Sequence, residues 1–298
     1  MDTSKLLGWF SRRRTATLMV TLCVSLIGFR CFGSPVDQVS GRVEIPFELY
    51  NDGALLIVKV TIGPIRNVNM ILDTGTSPSA ISREVADRLK LPGKEETLLT
   101  LKGTIPTRSV VLPRVELGPL HAESVRVLVQ DLGFMERSLG ISLGGIVGLD
   151  VLSTGSFTID YHRRKISFGP IPVSERALHF ETTVPFLSVR AKIGGQEVRL
   201  LVDSGTWGLL VYRDRLQVGR EQLRLDTNAR ISSVSGMTRV SWLRAPVSLG
   251  KEELGMCEVA VADTDSDPQD GFDGLLGFAR MGFRRVSFDF ERGMFGWE

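Results

Sequence analysis

The sequence predicts an all-β chain of two similar, small, barrel-like units related by a pseudo-twofold axis, each with one or two short helices. Three observations predict it. Apolar runs rich in Val, Ile and Leu are short and broken by turn residues, with 31 glycines among 298 residues, which favours many strands over a helical bundle. An apolar strand runs into Asp-(Thr/Ser)-Gly-Thr twice, as "MILDTGTSPSAIS" (70–82) and "LLVDSGTWGLLVY" (200–212). Further pairs of segments repeat in the same order behind those two, which indicates a duplicated unit.

The repeat can be followed along the chain. Asp73 and Asp203 are 130 residues apart. "SVVLPRVELG" (109–118) answers to "SWLRAPVSLG" (241–250), and "GGIVGLDVL" (144–152) to "DGLLGFARM" (273–281). "FTIDYHRRKISFG" (157–169) answers to "VSFDFERGMFGW" (286–297), with Asp160 and Asp289 129 residues apart. Each copy is roughly 120 residues. The copies span 41–170 and 181–298, and the proline- and charge-bearing stretch 171–180 reads as their linker.

Within the first copy, "EIPFELYNDGALLIVKVTIG" (44–63) alternates around Asn-Asp-Gly, a hairpin signal. The strand before Asp73 is apolar throughout, as a strand buried on both faces requires. "SREVADRLKL" (82–91) carries Ser82 as N-cap with Val85 and Leu89 on one face, predicting a short helix. "YRDRLQVG" (212–219) takes the same place in the second copy.

Residues 1–33 stand apart. "SRRRT" precedes the apolar run "ATLMVTLCVSLIGF", and "CFGSP" supplies small residues for cleavage. The run is shorter than the ~20 residues of a spanning helix. It reads as a cleaved export signal, with an uncleaved anchor as the alternative. Five basic residues and one acidic residue lie there, which leaves 31 basic against 33 acidic, a net of −2. The +2 of the whole chain thus belongs mostly to the leader, and the remainder offers no basic footprint for nucleic acid.

Cys23 and Cys31 fall in the leader, so a processed chain keeps only Cys257, read as a small buried hydrophobe. His121, His162 and His179 show no metal-ligand spacing and read as surface or turn residues. "DTDSDPQDGFDG" (263–274) begins like a calcium loop, but Pro268 stands where that loop needs Gly and no Glu closes it. A solvated acidic loop is the better reading, and the chemistry expected below calls for no metal and no cofactor.

That chemistry starts from the two aspartates. Gly75 and Gly205 let the backbone turn sharply after each carboxylate, at the end of a buried strand. Two such units facing across an axis would bring two carboxyls together. Such a pair cannot ionise fully with ease, so it holds one proton over a wide pH range. The charged member can activate a water and the protonated one can polarise a carbonyl.

These residues resemble the aspartic proteases of the pepsin and retroviral-protease type. The resemblance rests on "ILDTGTSPSAIS" with "IVGLD" and "LVDSGTWGLLVY" with "LLGFA", and covers nearly all of the chain after the leader. It implies two acid-protease lobes in one chain, a monomer, and an aspartic endopeptidase acting on peptide or protein substrates. The alternative is a catalytically silent, peptide-binding protein of the same fold. Asp73 and Asp203 would be the catalytic dyad. Thr74 and Ser204 would lock the two motif loops together, and Gly75 and Gly205 would donate backbone N–H groups to the carboxylates. Thr76 and Thr206 fall where pepsin-like enzymes place a hydroxyl on the outer carboxylate oxygen, with simple turn capping as the competing role. The candidate flap tips are Gly103 and Gly236. Pepsin-like enzymes carry a flap tyrosine, whereas Tyr50, Tyr161 and Tyr212 all lie outside flap-like segments, so two matching flaps look closer to a fused retroviral dimer. Trp207 either lines a subsite or belongs to the core. With the leader, the resemblance implies a protease domain that is periplasmic or secreted, or anchored in a membrane outside the cytoplasm.

Overall fold

Two sheets of the same strand order face each other, and a third sheet joins them. The computed structural model describes residues 43–100, 103–183, 186–217, 230–233, 236–263 and 271–298, with two short strands near the N-terminus, Thr17–Met19 and Cys23–Val24. The first lobe is ordered Glu48–Tyr50, Leu55–Ile62, Ile65–Leu72, Gly145–Val147, Ala80–Ser82, Leu120–Gln130, Gly103–Leu117, Gly93–Thr100. The second runs Glu181–Thr183, Phe186–Ile193, Gln196–Val202, Gly274–Leu276, Leu209–Tyr212, Glu252–Ala262, Gly236–Leu249, Arg230–Ser233. In each lobe an extra antiparallel pairing, Val115 with Ile62 and Val247 with Ile193, curls the sheet back on itself towards a barrel.

The expected hairpin at Asn51-Asp52-Gly53 forms, with Tyr50 opposite Leu55. All three turn residues have positive φ, which Asn, Asp and Gly tolerate best. The two motif strands end against the apolar-apolar-Gly segments. Met70, Ile71 and Leu72 pair in parallel with Gly145, Ile146 and Val147, and Leu200, Leu201 and Val202 with Gly274, Leu275 and Leu276. Met70 and Leu72 face the main core, while Ile71 faces a second cluster with Leu128, Leu132 and Met135. That two-sided burial explains the absence of alternation in this strand.

Helix Arg83–Leu89 starts at Ser82, whose hydroxyl accepts the Val85 N–H, as the sequence predicts. In the second lobe the described part of the corresponding stretch, 212–217, holds a 3-10 turn, Arg213–Arg215, with no side-chain cap at Tyr212, and 218–219 lie outside the described residues. Two further helices among the described residues, Gly133–Leu139 and Leu149–Leu152, lie in the first lobe. Gly133–Leu139 is closed by Gly140 in the left-handed conformation and covers the outer cluster with Met135.

The third sheet is symmetric. Its order is Ala177–His179, Met294–Trp297, Arg285–Asp289, Phe157–Asp160, Lys165–Phe168, Val43–Pro46. At its centre Phe157 pairs with Phe288 and Ile159 with Val286. Adding the 129-residue repeat to 157 and 159 gives 286 and 288, so this register is a twofold pairing of equivalent strands. The Phe157 and Phe288 rings stack with centroids 4.9 Å apart. The segment read as a linker therefore supplies a strand, because Ala177–His179 completes the second half as Val43–Pro46 completes the first.

The two N-terminal strands also pair with the lobes: Thr17–Met19 runs parallel to Arg230, Ile231 and Ser232, and Cys23–Val24 parallel to Thr76–Ser77. Among the described residues no helix is long and apolar enough to cross a membrane. The rest of the leader and most of the acidic 263–274 loop lie outside the described residues. Cys257 is half-buried at the edge of the core rather than fully buried, and partial burial raises its thiol pKa. The three histidines are exposed.

Candidate active site

Each motif strand delivers its aspartate to the same point between the lobes. The Asp73 N–H donates to the Val147 carbonyl at 3.0 Å and the Asp203 N–H to that of Leu276 at 3.0 Å. Both carboxyls are fully buried. They face each other closely enough to share a hydrogen bond.

The turns after them interlock. The Thr74 N–H donates to Ser204 Oγ at 3.0 Å, and the Ser204 N–H to Thr74 Oγ1 at 3.0 Å. Each hydroxyl then reaches across the axis to a carbonyl of the other strand, Thr74 Oγ1 to Val202 at 2.8 Å and Ser204 Oγ to Leu72 at 3.0 Å. Four reciprocal bonds satisfy the backbone of both turns in a dry setting, where leaving them unpaired would cost about 1–3 kcal/mol each.

Each carboxylate has its own donors. Asp73 Oδ1 accepts the Gly75 N–H at 2.8 Å and Oδ2 accepts the Thr76 hydroxyl at 2.8 Å. Asp203 Oδ1 accepts the Gly205 N–H at 2.7 Å and Oδ2 the Thr206 hydroxyl at 2.6 Å. Glycine is obligatory here because of the close approach. A Cβ on Gly75 would lie 2.6 Å from Asp203 Cγ, and one on Gly205 2.7 Å from Asp73 Oδ2. Gly148 and Gly277 have the same role one layer out, against the carbonyl oxygens of Thr76 and Thr206 at 2.3 and 2.1 Å from such a Cβ.

Burial raises the pKa of Asp73 well above the usual carboxylate range, reinforced by the negative charge of Asp203. Burial raises Asp203 too, opposed by the hydrogen bonds from the Thr206 hydroxyl and the Gly205 N–H. Both members are raised, so the pair holds one proton between them over a wide pH range. Nearby, the Tyr161 phenol is pushed upward by burial and then by the Asp203 charge.

The sequence-predicted flap positions begin the returning strands of two hairpins. Gly103 pairs with Thr100 and Gly236 with Ser233. The turn residues, 101–102 and 234–235, lie outside the described residues. Trp207 is 6% exposed and packs edge-on to Trp242, with the Arg280 guanidinium 3.8 Å above its ring. It is thus a buried ring of the second lobe. Two residues that sequence reasoning passed over meet beside the first motif loop: Ser79 and Asp150. The signal for Asp150 was its place in the apolar run "GGIVGLDVL", where the second copy has Ala279.

A family model described as aspartyl protease matches residues 58–151 and 189–279, one match for each copy. The structure is similar to the crystal structure of an aspartic proteinase from Irpex lacteus, with a TM-score of 0.56 and 14% identity, covering 86% of this chain and 97% of that one. At that identity the likeness is one of fold. No curated protein matches the sequence significantly.

Proposed function

The chain belongs to the aspartyl protease family, and on that premise we propose that it is an aspartic endopeptidase that hydrolyses peptide bonds with Asp73 and Asp203. The observation that carries this reading is the buried, facing pair of carboxyls with a raised Asp73 pKa. A water held between them would give a proton to the ionised member of the pair as its oxygen attacks the scissile carbonyl. The proton on the other member would pass to the carbonyl oxygen, which gives a neutral tetrahedral diol. Collapse of that diol returns one proton to the leaving nitrogen and restores the dyad with a single proton. The Gly75 and Gly205 N–H groups and the Thr76 and Thr206 hydroxyls hold the carboxyls in position, so little reorganisation is needed at the moment of reaction.

The hairpins 93–117 and 230–249 would close over an extended peptide from both sides. The basic-then-apolar leader supports export, with the protease domain outside the cytoplasm, and both lobes in one chain support a monomer. The test is digestion of a proteome-derived peptide mixture at several pH values, with and without pepstatin. Cleavage is expected in acid, blocked by pepstatin and abolished in both Asp73→Asn and Asp203→Asn. The dyad acts as a unit, so each single change should lose nearly as much as the double one. Substantial turnover in either single variant would place the chemistry elsewhere.

A further inference from the structure

Asp150 is the one acidic residue in an otherwise apolar run, and the reaction above does not use it. It sits in the short helix Leu149–Leu152, directly after the Gly148 that abuts the first motif loop. Its Oδ2 accepts the Ser79 N–H at 3.0 Å and its Oδ1 accepts the Ser79 hydroxyl at 2.5 Å. Ser79 Oγ in turn accepts the Gly148 N–H at 2.8 Å. Gly148 lies against the Thr76 carbonyl, and Thr76 Oγ1 holds Asp73. A continuous set of contacts thus runs from Asp150 through Ser79 and Gly148 to the hydroxyl on the catalytic carboxyl.

The second copy keeps the threonine, as Thr206, but lacks the Ser79–Asp150 pair. Leu209 and Ala279 stand where the first copy has Ser79 and Asp150. There the Gly277 N–H donates to the Gly208 carbonyl at 3.0 Å, and the Arg280 N–H to that of Trp207 at 3.1 Å. The outer wall is the Trp207 ring under Arg280. Two identical inner geometries are therefore held by different outer supports.

We propose that Asp150 is a positioning residue for Asp73, acting through Ser79 and Gly148 to fix the loop that carries Thr76. The proposal rests on the protease reading for its kinetic consequences, but the clamp itself is a property of the fold. Burial raises the Asp150 pKa, opposed first by the two bonds from Ser79 and then by backbone N–H groups of its own helix. On the strand Leu120–Gln130 packed against that helix, Arg126 is paired with Glu96, Glu123 with Arg114, and His121 lies against the Pro119 carbonyl. Among the described residues no cation forms an ion pair with Asp150, so Ser79 is its principal partner.

The test compares Ser79→Ala, Asp150→Ala and the conservative Ser79→Thr in the full chain. The two alanine variants should lower kcat about ten-fold with KM little changed, since a slightly misplaced catalytic group costs turnover more than binding. Both should move the acidic limb of the pH profile upward, because a loosened Thr76 hydroxyl stabilises the singly ionised dyad less. In a Thr76→Ala background neither should shift that limb further, since both act through Thr76. Ser79→Thr should restore kcat. Amide hydrogen exchange supplies a readout free of turnover: both alanine variants should exchange faster at residues 75–76 and not at 205–206. An unmoved limb, an equal shift in the Thr76→Ala background, or unchanged exchange at 75–76 overturns the proposal. If the wild type cleaves no peptide, the protease reading falls, and the exchange comparison alone decides whether the clamp exists.

Discussion

The environment of each aspartate is set by atoms that leave no room for substitution. Gly75 and Gly205 approach the opposite carboxyl so closely that a methyl group would have to displace the catalytic group itself. Gly75→Ala and Gly205→Ala should therefore each reduce kcat/KM by at least about a hundred-fold, as expected when a reacting group moves by about an ångström. Steady-state kinetics alongside thermal melts check this, and activity near wild type would contradict the close approach. The threonine hydroxyls make a separate prediction. Each donates to the carboxylate oxygen of its own loop and so favours ionisation. The double change Thr76→Ala, Thr206→Ala should move the acidic limb of kcat/KM against pH upward. Retroviral enzymes typically have alanine here, so this chain should work further into acid than they do. An unmoved limb would make the threonines turn residues only. At this scale the sequence was informative where chemistry needs a fixed local motif. Asp-Thr-Gly-Thr and Asp-Ser-Gly-Thr are read directly, but the Ser79–Asp150 contact joins residues 71 apart and leaves no local pattern.

Elements were legible to the extent that their signals were local. Asn-Asp-Gly predicted a hairpin, and Ser82 with Val85 and Leu89 predicted a helix, and both form. In place of the helix expected at 212–219, the described residues 212–217 hold a 3-10 turn, since Tyr212 offers no capping side chain and is itself buried in the core. The central sheet was not legible. The repeat shows that "FTID" and "VSFD" are equivalent, but nothing local says that equivalent strands pair with one another. Their contact is long-range, Phe157 on Phe288 with Phe290 6.2 Å from Phe157. Arg285 adds a polar tie by donating to Asp160 across the two copies at 2.8 Å. Phe288→Ala should destabilise the chain by about 3–5 kcal/mol, the usual range for emptying an aromatic site in a core. Because that ring joins the lobes, the loss should appear in urea unfolding as separation of one transition into two. A single unfolding step with stability unchanged would show that the shared sheet does not couple them.

For the whole molecule, duplication fixes the position of the site and sets how stability depends on pH. Two copies of one unit, paired through equivalent strands, place two buried carboxyls face to face between the lobes, and neither copy alone can form that pair. The folded state takes up protons there more readily than the unfolded chain does, since the pKa values of Asp73, Asp203 and Asp150 are all raised, chiefly by burial. A group whose folded pKa lies above its unfolded value contributes most stability at low pH, and that contribution is lost as pH rises through the folded value. Asp160 acts in the opposite sense: hydrogen bonds from the Arg163 N–H and Arg285 outweigh desolvation and lower its pKa, so its contribution is lost as pH falls through that lowered value. Stability should therefore peak in mild acid, decline towards neutrality because of the buried carboxyls, and fall again in strong acid as the Asp160 contacts protonate. The variant Asp73→Asn with Asp203→Asn removes both titrating members of the dyad and should flatten the decline between the ordinary carboxylate range and neutral pH, leaving the strongly acidic fall in place. Thermal melts from strongly acidic to neutral pH on both proteins make the comparison. If the double variant loses stability towards neutral pH as steeply as the wild type, the burial of the dyad is not what tilts the curve.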